Sequence, residues 1–459
     1  GLERPPGVLG SADGRMADHA NDAVLTLRRR TTLAAGETRE WRFVVGVAEQ
    51  EAIAALLGNY TGTANGSLSR RLTVELVTPD APELRREMMW HSYYLQAGSI
   101  FSDYFQAHVL DQGSAYSYIH GFCGATRDFA LFALPIVYLR PALAKDTLRF
   151  CARMQDHRTG RLPYAFVGHG CVRGYVVHSR SSDLDLFFLW AAAEYLAATQ
   201  DRGFLDENLP FYPLSANRAG SFLEHCRRAF RHLVDHVGVG PHGLLRAGTG
   251  DWNDVLIGFS RFSPLTLWRG ESALNAALAA LVLPRMADVV EHADPAWAEE
   301  MRAFGRRQAE ALEPLWAGSW LTRGYLGWGD TMLGHERVFL DAQPFPVLAG
   351  LWDKGRRNAL FDAVRNRCTD PQRLGAKCLS PPLRGPLLEP GADTNGGTWA
   401  AIDGWLAAAW SLHDPVAAWE FFHSTTLAAH AEAYPEVWYG VWSGPDSYNA
   451  RDHSRPGET

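Results

Sequence analysis

Leu184-Asp185-Leu186-Phe187-Phe188-Leu189-Trp190-Ala191-Ala192-Ala193-Glu194-Tyr195-Leu196-Ala197-Ala198-Thr199 decides the fold. Almost every position is apolar, leaving no broad polar face for water, so the stretch reads as a helix buried on all sides. A helix of that kind needs a shell of others. Working outward, Ala142 to His157 sets Leu143, Leu148, Phe150 and Met154 between charged positions. Further helical stretches run near 90–110, 125–139, 216–237, 264–290, 295–318, 341–352, 355–367, 398–411 and 415–427. That makes about eleven helices, joined by connections that alternate between tight and long. The long connections, 158–182, 239–262, 319–340 and 368–397, are rich in Trp, His, Asp and Gly, a composition of binding loops rather than of linkers. The expected fold is mainly α: an (α/α)6 barrel over 83–459 with its long loops on one face. After the last helical stretch come the turn-rich Ser443-Gly444-Pro445-Asp446 and a polar tail, so the final inner helix is expected to be missing.

The first residues differ. Ala23-Val24-Leu25-Thr26-Leu27-Arg28 and Glu40-Trp41-Arg42-Phe43-Val44-Val45-Gly46-Val47 are strand-like, with the turn-prone Ala34-Ala35-Gly36-Glu37 between them. So few strands do not make an independent sandwich. Residues 1–82 are therefore expected to be a partial β-sandwich region followed by a helical linker.

Composition narrows the function classes. Hydrophobic residues make up 47% of the 459, enough for a large core. A net charge of −7 carries no electrostatic footprint for nucleic acid. No continuous apolar run reaches the ~18 residues that span a bilayer. Gly1-Leu2-Glu3-Arg4-Pro5-Pro6 lacks the plan of a signal peptide, and lacks a starting Met, so the chain is expected to begin inside a longer one. The six cysteines form no CxxC pair and no zinc-like cluster, which points to no structural metal and to a reducing, cytoplasmic location. Aromatic residues reach 12%, with 16 Trp. Their flat faces fill cores and also stack on sugar rings.

The chemistry centres on Gly248-Thr249-Gly250-Asp251-Trp252-Asn253-Asp254. Glycosidic cleavage needs a carboxylic acid held protonated near the leaving oxygen, and indole surface desolvates and raises such a group. A helix cap explains Asp251 or Asn253 equally well. Thr126-Arg127-Asp128 reads, alone, as an ion pair at a helix start. In Ser182-Asp183-Leu184-Asp185 an N-cap accounts for one acid and leaves the second inside an apolar face. Asp341-Ala342-Gln343-Pro344, Asp393-Thr394-Asn395-Gly396-Gly397-Thr398-Trp399 and Tyr434-Pro435-Glu436-Val437-Trp438 add polar-aromatic segments, most of them leading into helices.

The order of these motifs over roughly residues 88–442 resembles the cellobiose phosphorylase family, which includes the phosphorylase-like regions of cyclic β-1,2-glucan synthases. The Asp-Trp-Asn-Asp motif is the most specific of them. The resemblance implies a β-sandwich, a helical linker and an (α/α)6 barrel. It also implies that Asp254 is the general acid, that Trp252 lines the subsite of the cleaved sugar, and that Arg127 and Asp128 contact hydroxyl groups. Asp183, Asp185, Asp251, Asn253, Gln343, Asn395, Trp399 and Trp438 complete the expected substrate-binding set. Two departures stand out. Phe129-Ala130-Leu131-Phe132-Ala133 is apolar where the family has a further acid after Arg-Asp. Thr398-Trp399-Ala400-Ala401 replaces the stretch in which the family carries a His used with phosphate, and Trp399-Ala400-Ala401-Ile402-Asp403-Gly404-Trp405 is similar to related barrel glycosidases.

The expected activity is inverting cleavage of a gluco-oligosaccharide or β-glucan by phosphorolysis or hydrolysis. In an inverting hydrolase the acid and base stand ~6.5–9.5 Å apart with water between them, and Glu436 or Glu432 is then the base. With phosphate as co-substrate no base is needed. No cofactor is expected, and association with a second copy stays open. The rival expectation is a non-catalytic sugar-binding or transglycosylating region of a larger glucan-processing protein.

Overall fold

The computed structural model describes residues 30–41, 50–55, 74–78, 80–112, 124–167, 170–172, 179–253, 263–369, 374–385, 388–438 and 446–459. The chain divides into two compact units, Gly1–Leu68 and Ser69–Thr459. In the first unit the amide of Glu37 bonds the carbonyl of Ala34 at 3.0 Å, closing the expected turn. The strand expected at Ala23–Arg28 lies outside the described residues, as does most of Glu40–Val47; Glu40 and Trp41 themselves are not in a strand.

The second unit is mainly helical. Its helices are α1 (Pro82–Ala97), α2 (Thr126–Leu139), α3 (Pro141–Met154), α4 (Leu184–Thr199), α5 (Phe222–His232), α6 (Ser263–Arg269), α7 (Ala273–Val290), α8 (Pro295–Leu312), α9 (Pro344–Leu348), α10 (Lys354–Val364), α11 (Ala400–Ser411), α12 (Pro415–Ser424), α13 (Leu427–Ala433) and α14 (Pro435–Trp438). Small antiparallel ladders fill the connections. In chain order they pair β1 (Ser99–Ser102) with β2 (Ala107–Leu110), β3 (Ala165–Val167) with β4 (Gly170–Val172), and β5 (Asn208–Pro210) with β6 (Ala219–Ser221). A three-stranded ladder then joins β7 (Glu271–Ser272), β8 (Gly324–Tyr325) and β9 (Met332–Leu333). The last two pairs are β10 (Val338–Phe339) with β11 (Leu379–Ser380) and β12 (Thr398–Trp399) with β13 (Ser447–Tyr448).

Sequence pattern separates inner from outer helices. Nearly all of α4 is buried, from Leu184 through Ala193. In α5 the buried residues are Phe222, His225, Cys226, Ala229 and Phe230, the i, i+3, i+4, i+7, i+8 stripe of a helix with one wet face. Inner helices pack in the succession α2, α4, α7, α9, α11, and α3, α5, α8 and α12 pack against α2, α4, α7 and α11. By length and composition α7 could cross a bilayer, but 78% of it is buried inside this unit, as a core helix is.

Three expected helices are corrected. The stretch 90–110 stops being helical at Ala97, where Gly98 caps it and the chain turns into the β1–β2 hairpin with Ser99 opposite Leu110. The helix placed at 216–237 begins only at Phe222, because Ala219–Ser221 pairs with Asn208–Pro210 and Ser221 caps the helix by accepting from the Glu224 amide. The helix placed at 264–290 breaks at Gly270: Ser272 accepts from the Asn275 amide and starts a new helix. Cys151, Cys226, Cys368 and Cys378 are buried free thiols, and burial pushes Cys151 and Cys368 up to about 12.

Candidate active site

The inner helices bring their N-terminal ends to one place. Arg127, in the first turn of α2, reaches Asp183 at the start of α4 with Nε–Oδ2 at 2.6 Å and Nη2–Oδ1 at 3.0 Å. A two-point fork of this kind fixes direction as well as distance. The same Nη2 donates to the backbone carbonyl of Asp251 at 3.0 Å, so the pair also anchors the segment before Trp252. Asp183 occupies the cap position of α4 but makes no side-chain cap bond; its carboxylate is committed to Arg127 instead.

Asp251 sits at a second knot, one the sequence does not reveal. Arg323 lies in the loop between α8 and α9 and is 1% exposed. Its Nη2 meets Asp251 Oδ1 at 2.5 Å, its Nε meets Asp341 Oδ2 at 3.1 Å, and its Nη1 reaches Ser272 Oγ at 3.2 Å. Ser272 donates to Asp251 Oδ2 at 2.5 Å, and Asn253 donates from Nδ2 to Asp341 Oδ2 at 3.1 Å. Backbone geometry sets Arg323 in place. The Arg323 carbonyl accepts from the Ala273 amide, and Gly324, at φ +140°, passes so close to β7 that a Cβ would lie 2.0 Å from the Glu271 carbonyl oxygen. Only glycine fits there.

Charge divides unequally over the knot. Burial raises a carboxyl, but Arg323, Ser272 and the Asn253 amide together hold Asp251 below its ordinary value. Asp341 goes the other way: burial and the Asp251 charge lift it above the ordinary value, against Arg323 and Asn253. Its Oδ1 is buried and has no hydrogen-bond partner among the described residues. Two carboxylates facing one guanidinium thus leave an uneven pair, one ionised and one inclined to keep a proton.

Asp185, the second acid of α4, is held by His232 at the end of α5, Nδ1 to Oδ2 at 2.6 Å. Burial depresses the imidazole, but the Asp185 charge and hydrogen bond outweigh it and raise His232 overall. A raised histidine contributes stability that is complete below its unfolded value of about 6.5 and is lost as pH rises through its folded value. Urea unfolding from pH 6 upward should therefore show falling stability that His232→Gln flattens. An equal slope in both proteins would remove the pair from that account.

Trp252 is nearly buried and meets Trp399 edge-on, with ring centroids 4.9 Å apart at 79°. Behind them Trp405 packs on Phe187, Trp190 and Phe345. An aromatic wall therefore borders the charged knot.

The other expected residues are distributed as follows. Asp128 is half-buried in the first turn of α2. Gln343 is fully buried and bonds the Leu321 amide and carbonyl and the Phe339 carbonyl, bracing the loop that carries Arg323. Asn395 bonds the Leu383 amide and carbonyl and the Glu389 carbonyl. Glu436 is exposed on α14, and Glu432 is exposed on α13. Asp254 and the side chain of Trp438 lie outside the described residues. Asp403, which sequence reasoning does not single out, is buried in the first turn of α11. Burial pushes it well above its ordinary value against the Ala376 amide it accepts from. No group of three metal-ligating side chains occurs among the described residues.

Paired carboxylates and indole rings converging at the inner ends of a helical array give the layout of a carbohydrate-active enzyme. The chain belongs to the glycosyl hydrolase 94 superfamily, whose catalytic-domain model matches residues 84–436. It is similar to cyclic β-(1,2)-glucan synthase NdvB of Rhizobium meliloti (strain 1021), at 26% identity over 94% of this chain and 16% of that protein. It is also similar to solabiose phosphorylase of Paenibacillus borealis, at 28% identity over 53% of this chain and 30% of that protein. The chain thus spans less than a third of the length of either relative. Among solved structures, an uncharacterized conserved protein from Thermus thermophilus shares the fold, with a TM-score of 0.50 at 15% identity, covering 80% of this chain and 94% of that one.

Proposed function

We propose that the chain is the catalytic region of an inverting enzyme that cleaves a glycosidic bond in a gluco-oligosaccharide or β-glucan, its inner and outer helices forming an (α/α)6 barrel. One observation carries this reading. The residues leading to Asp254 are held by Arg127 from the first turn of α2 and by Arg323 and Asp341 from the α8–α9 loop, beside the Trp252–Trp399 wall. Rigid placement of the segment before an acid is what protonating a leaving oxygen requires. Asp254 gives its proton to the glycosidic oxygen while the nucleophile attacks the opposite face of the ring.

Phosphate and water make different demands. Phosphate is its own nucleophile, and the solabiose phosphorylase relative favours it. Water needs a base. Besides Glu436 and Glu432, Asp446 is a candidate: it is solvent-exposed and precedes Ser447, which pairs with Trp399 across β12–β13. Incubation with β-linked gluco-oligosaccharides, with and without phosphate, tests both arms by proton NMR of the first product. Release of an inverted sugar, or of a sugar 1-phosphate only when phosphate is present, is expected. Retention of configuration would overturn the mechanism. The second reading, a sugar-binding or transglycosylating region of a larger protein, is favoured by the 16% span of the glucan synthase relative. It predicts binding without net cleavage, or transfer to a second sugar.

A further inference from the structure

Beside the knot lies a cavity of about 530 Å³, bordered on one side by Ser182 and Gly248. Its lining includes Arg161, Arg180 and Arg246, with His232, Tyr212 and Trp268. Among the described lining residues Asp156 is the one carboxylate, and its Oδ1 is taken up by the amides of Arg158 and Thr159 and the Thr159 hydroxyl. His232 is engaged by Asp185 at 2.6 Å. The balance of the lining is therefore cationic, supplied by guanidinium groups that suit planar oxyanions.

The cavity is built rather than incidental. The Arg180 amide donates to Thr249 Oγ1 at 2.7 Å, and the Arg180 carbonyl accepts from the Thr249 amide at 3.1 Å. Gly248, at φ +61°, approaches so closely that a Cβ would lie 2.3 Å from that same carbonyl. This clasp locks the loop carrying Arg180 to the segment that leads into Asp251. Ser182 lines the cavity and donates to the Ala247 carbonyl at 2.7 Å, while its neighbour Asp183 holds Arg127. Arg246 is tethered through Nε to the Val239 carbonyl at 3.2 Å. Arg161 is tied through Nη2 to the Ser179 carbonyl. Trp268, 65% exposed, adds an indole face to the cavity's edge.

We propose that this cavity binds an anionic group carried on a saccharide, a uronate carboxylate or a phosphate ester, with Arg180 and Arg246 holding the oxyanion and Trp268 or Tyr212 holding the ring. The sugar half of that ligand rests on the glycoside-cleaving reading; the anion half rests on the guanidinium groups alone.

Calorimetric titration of the whole chain with a glucuronate-containing disaccharide, glucose 6-phosphate, inorganic phosphate and a neutral glucose disaccharide separates the cases. The charged sugars should bind at least about tenfold more tightly than the neutral one at low salt, with the margin shrinking as salt rises. Arg180→Gln with Arg246→Gln should erase that margin and leave neutral-sugar binding and the thermal midpoint unchanged. Equal binding of charged and neutral sugars overturns the proposal. Inorganic phosphate binding as tightly as glucose 6-phosphate, and lost in the same variant, assigns the cavity to a free anion and overturns the saccharide. Charged-sugar binding in a chain that cleaves nothing keeps the site and removes the glycoside-cleaving reading.

Discussion

Replacing Arg323 with methionine is expected to cost the folded chain about 3–5 kcal/mol at neutral pH, the range for breaking a buried ion pair from one side. A typical domain has only ~5–15 kcal/mol in hand, so much of the population would unfold near 37 °C. The cause is what the change leaves behind. Asp251 and Asp341 are both 0% exposed and lose the guanidinium they share, while Ser272 loses a donor. The Asp251 contribution to the pH dependence should reverse. In the native chain Asp251 is depressed, so its stability is present above the unfolded carboxyl value and lost as pH falls through the folded one. Without Arg323, burial raises both acids, and the variant should gain stability as pH falls. Arg323→Lys keeps the charge but cannot fork to two carboxylates and a hydroxyl, and should fall between the two. Adding Asp251→Asn and Asp341→Asn to Arg323→Met should recover part of the loss. Urea midpoints from pH 5 to 8 check this; a loss below ~1 kcal/mol for Arg323→Met would show that the knot is already screened by water.

That prediction rests on the residue least visible in the chain. Arg323 stands in Trp320-Leu321-Thr322-Arg323-Gly324, a loop whose length marks it as functional but whose composition does not single out the arginine. Its partner Asp251 lies 72 positions away, and Asn253 meets Asp341 across 88. Local pattern reports what a residue's neighbours in sequence demand; it is blind to a charge supplied by another loop. The same blindness makes Arg127 look like a helix-start ion pair, when its carboxylate is 56 positions on at Asp183. The acid within α4 was legible, because a carboxylate in an apolar face must find a partner. That the partner is His232 was not, since α5 reads as an amphipathic outer helix with its basic residues at a favourable end. The inner helices were legible from hydrophobic content alone. The β1–β2, β5–β6 and β7–β8–β9 pairs were not, because strands of two to four residues have no period to read and pair through backbone bonds that no side-chain pattern announces.

Asp254→Asn should lower turnover by about 10²–10⁴-fold, the usual share of a general acid, equivalent to ~2.7–5.4 kcal/mol of barrier. The amide fills the same space, so binding of a neutral oligosaccharide should hold within about threefold, and the loss should fall on kcat. Two signatures separate a proton donor from a residue that only shapes the segment. Wild-type activity should decline on the alkaline side as the acid ionises, and the variant should lack that limb. A glycosyl substrate whose leaving group departs without a proton, such as a fluoride, should be spared most of the loss. Disturbance of the segment alone would slow both substrates alike. Arg127, Arg323 and Asp341 bear on the outcome, because they hold Asp251 and Asn253 in place whatever stands at position 254. Asp254→Asn should therefore leave the urea midpoint unchanged, whereas Arg323→Met moves it. Turnover retained within about threefold would move the proton to another carboxyl, and Asp341, buried and already lifted above its ordinary value, would be the first to replace with Asn.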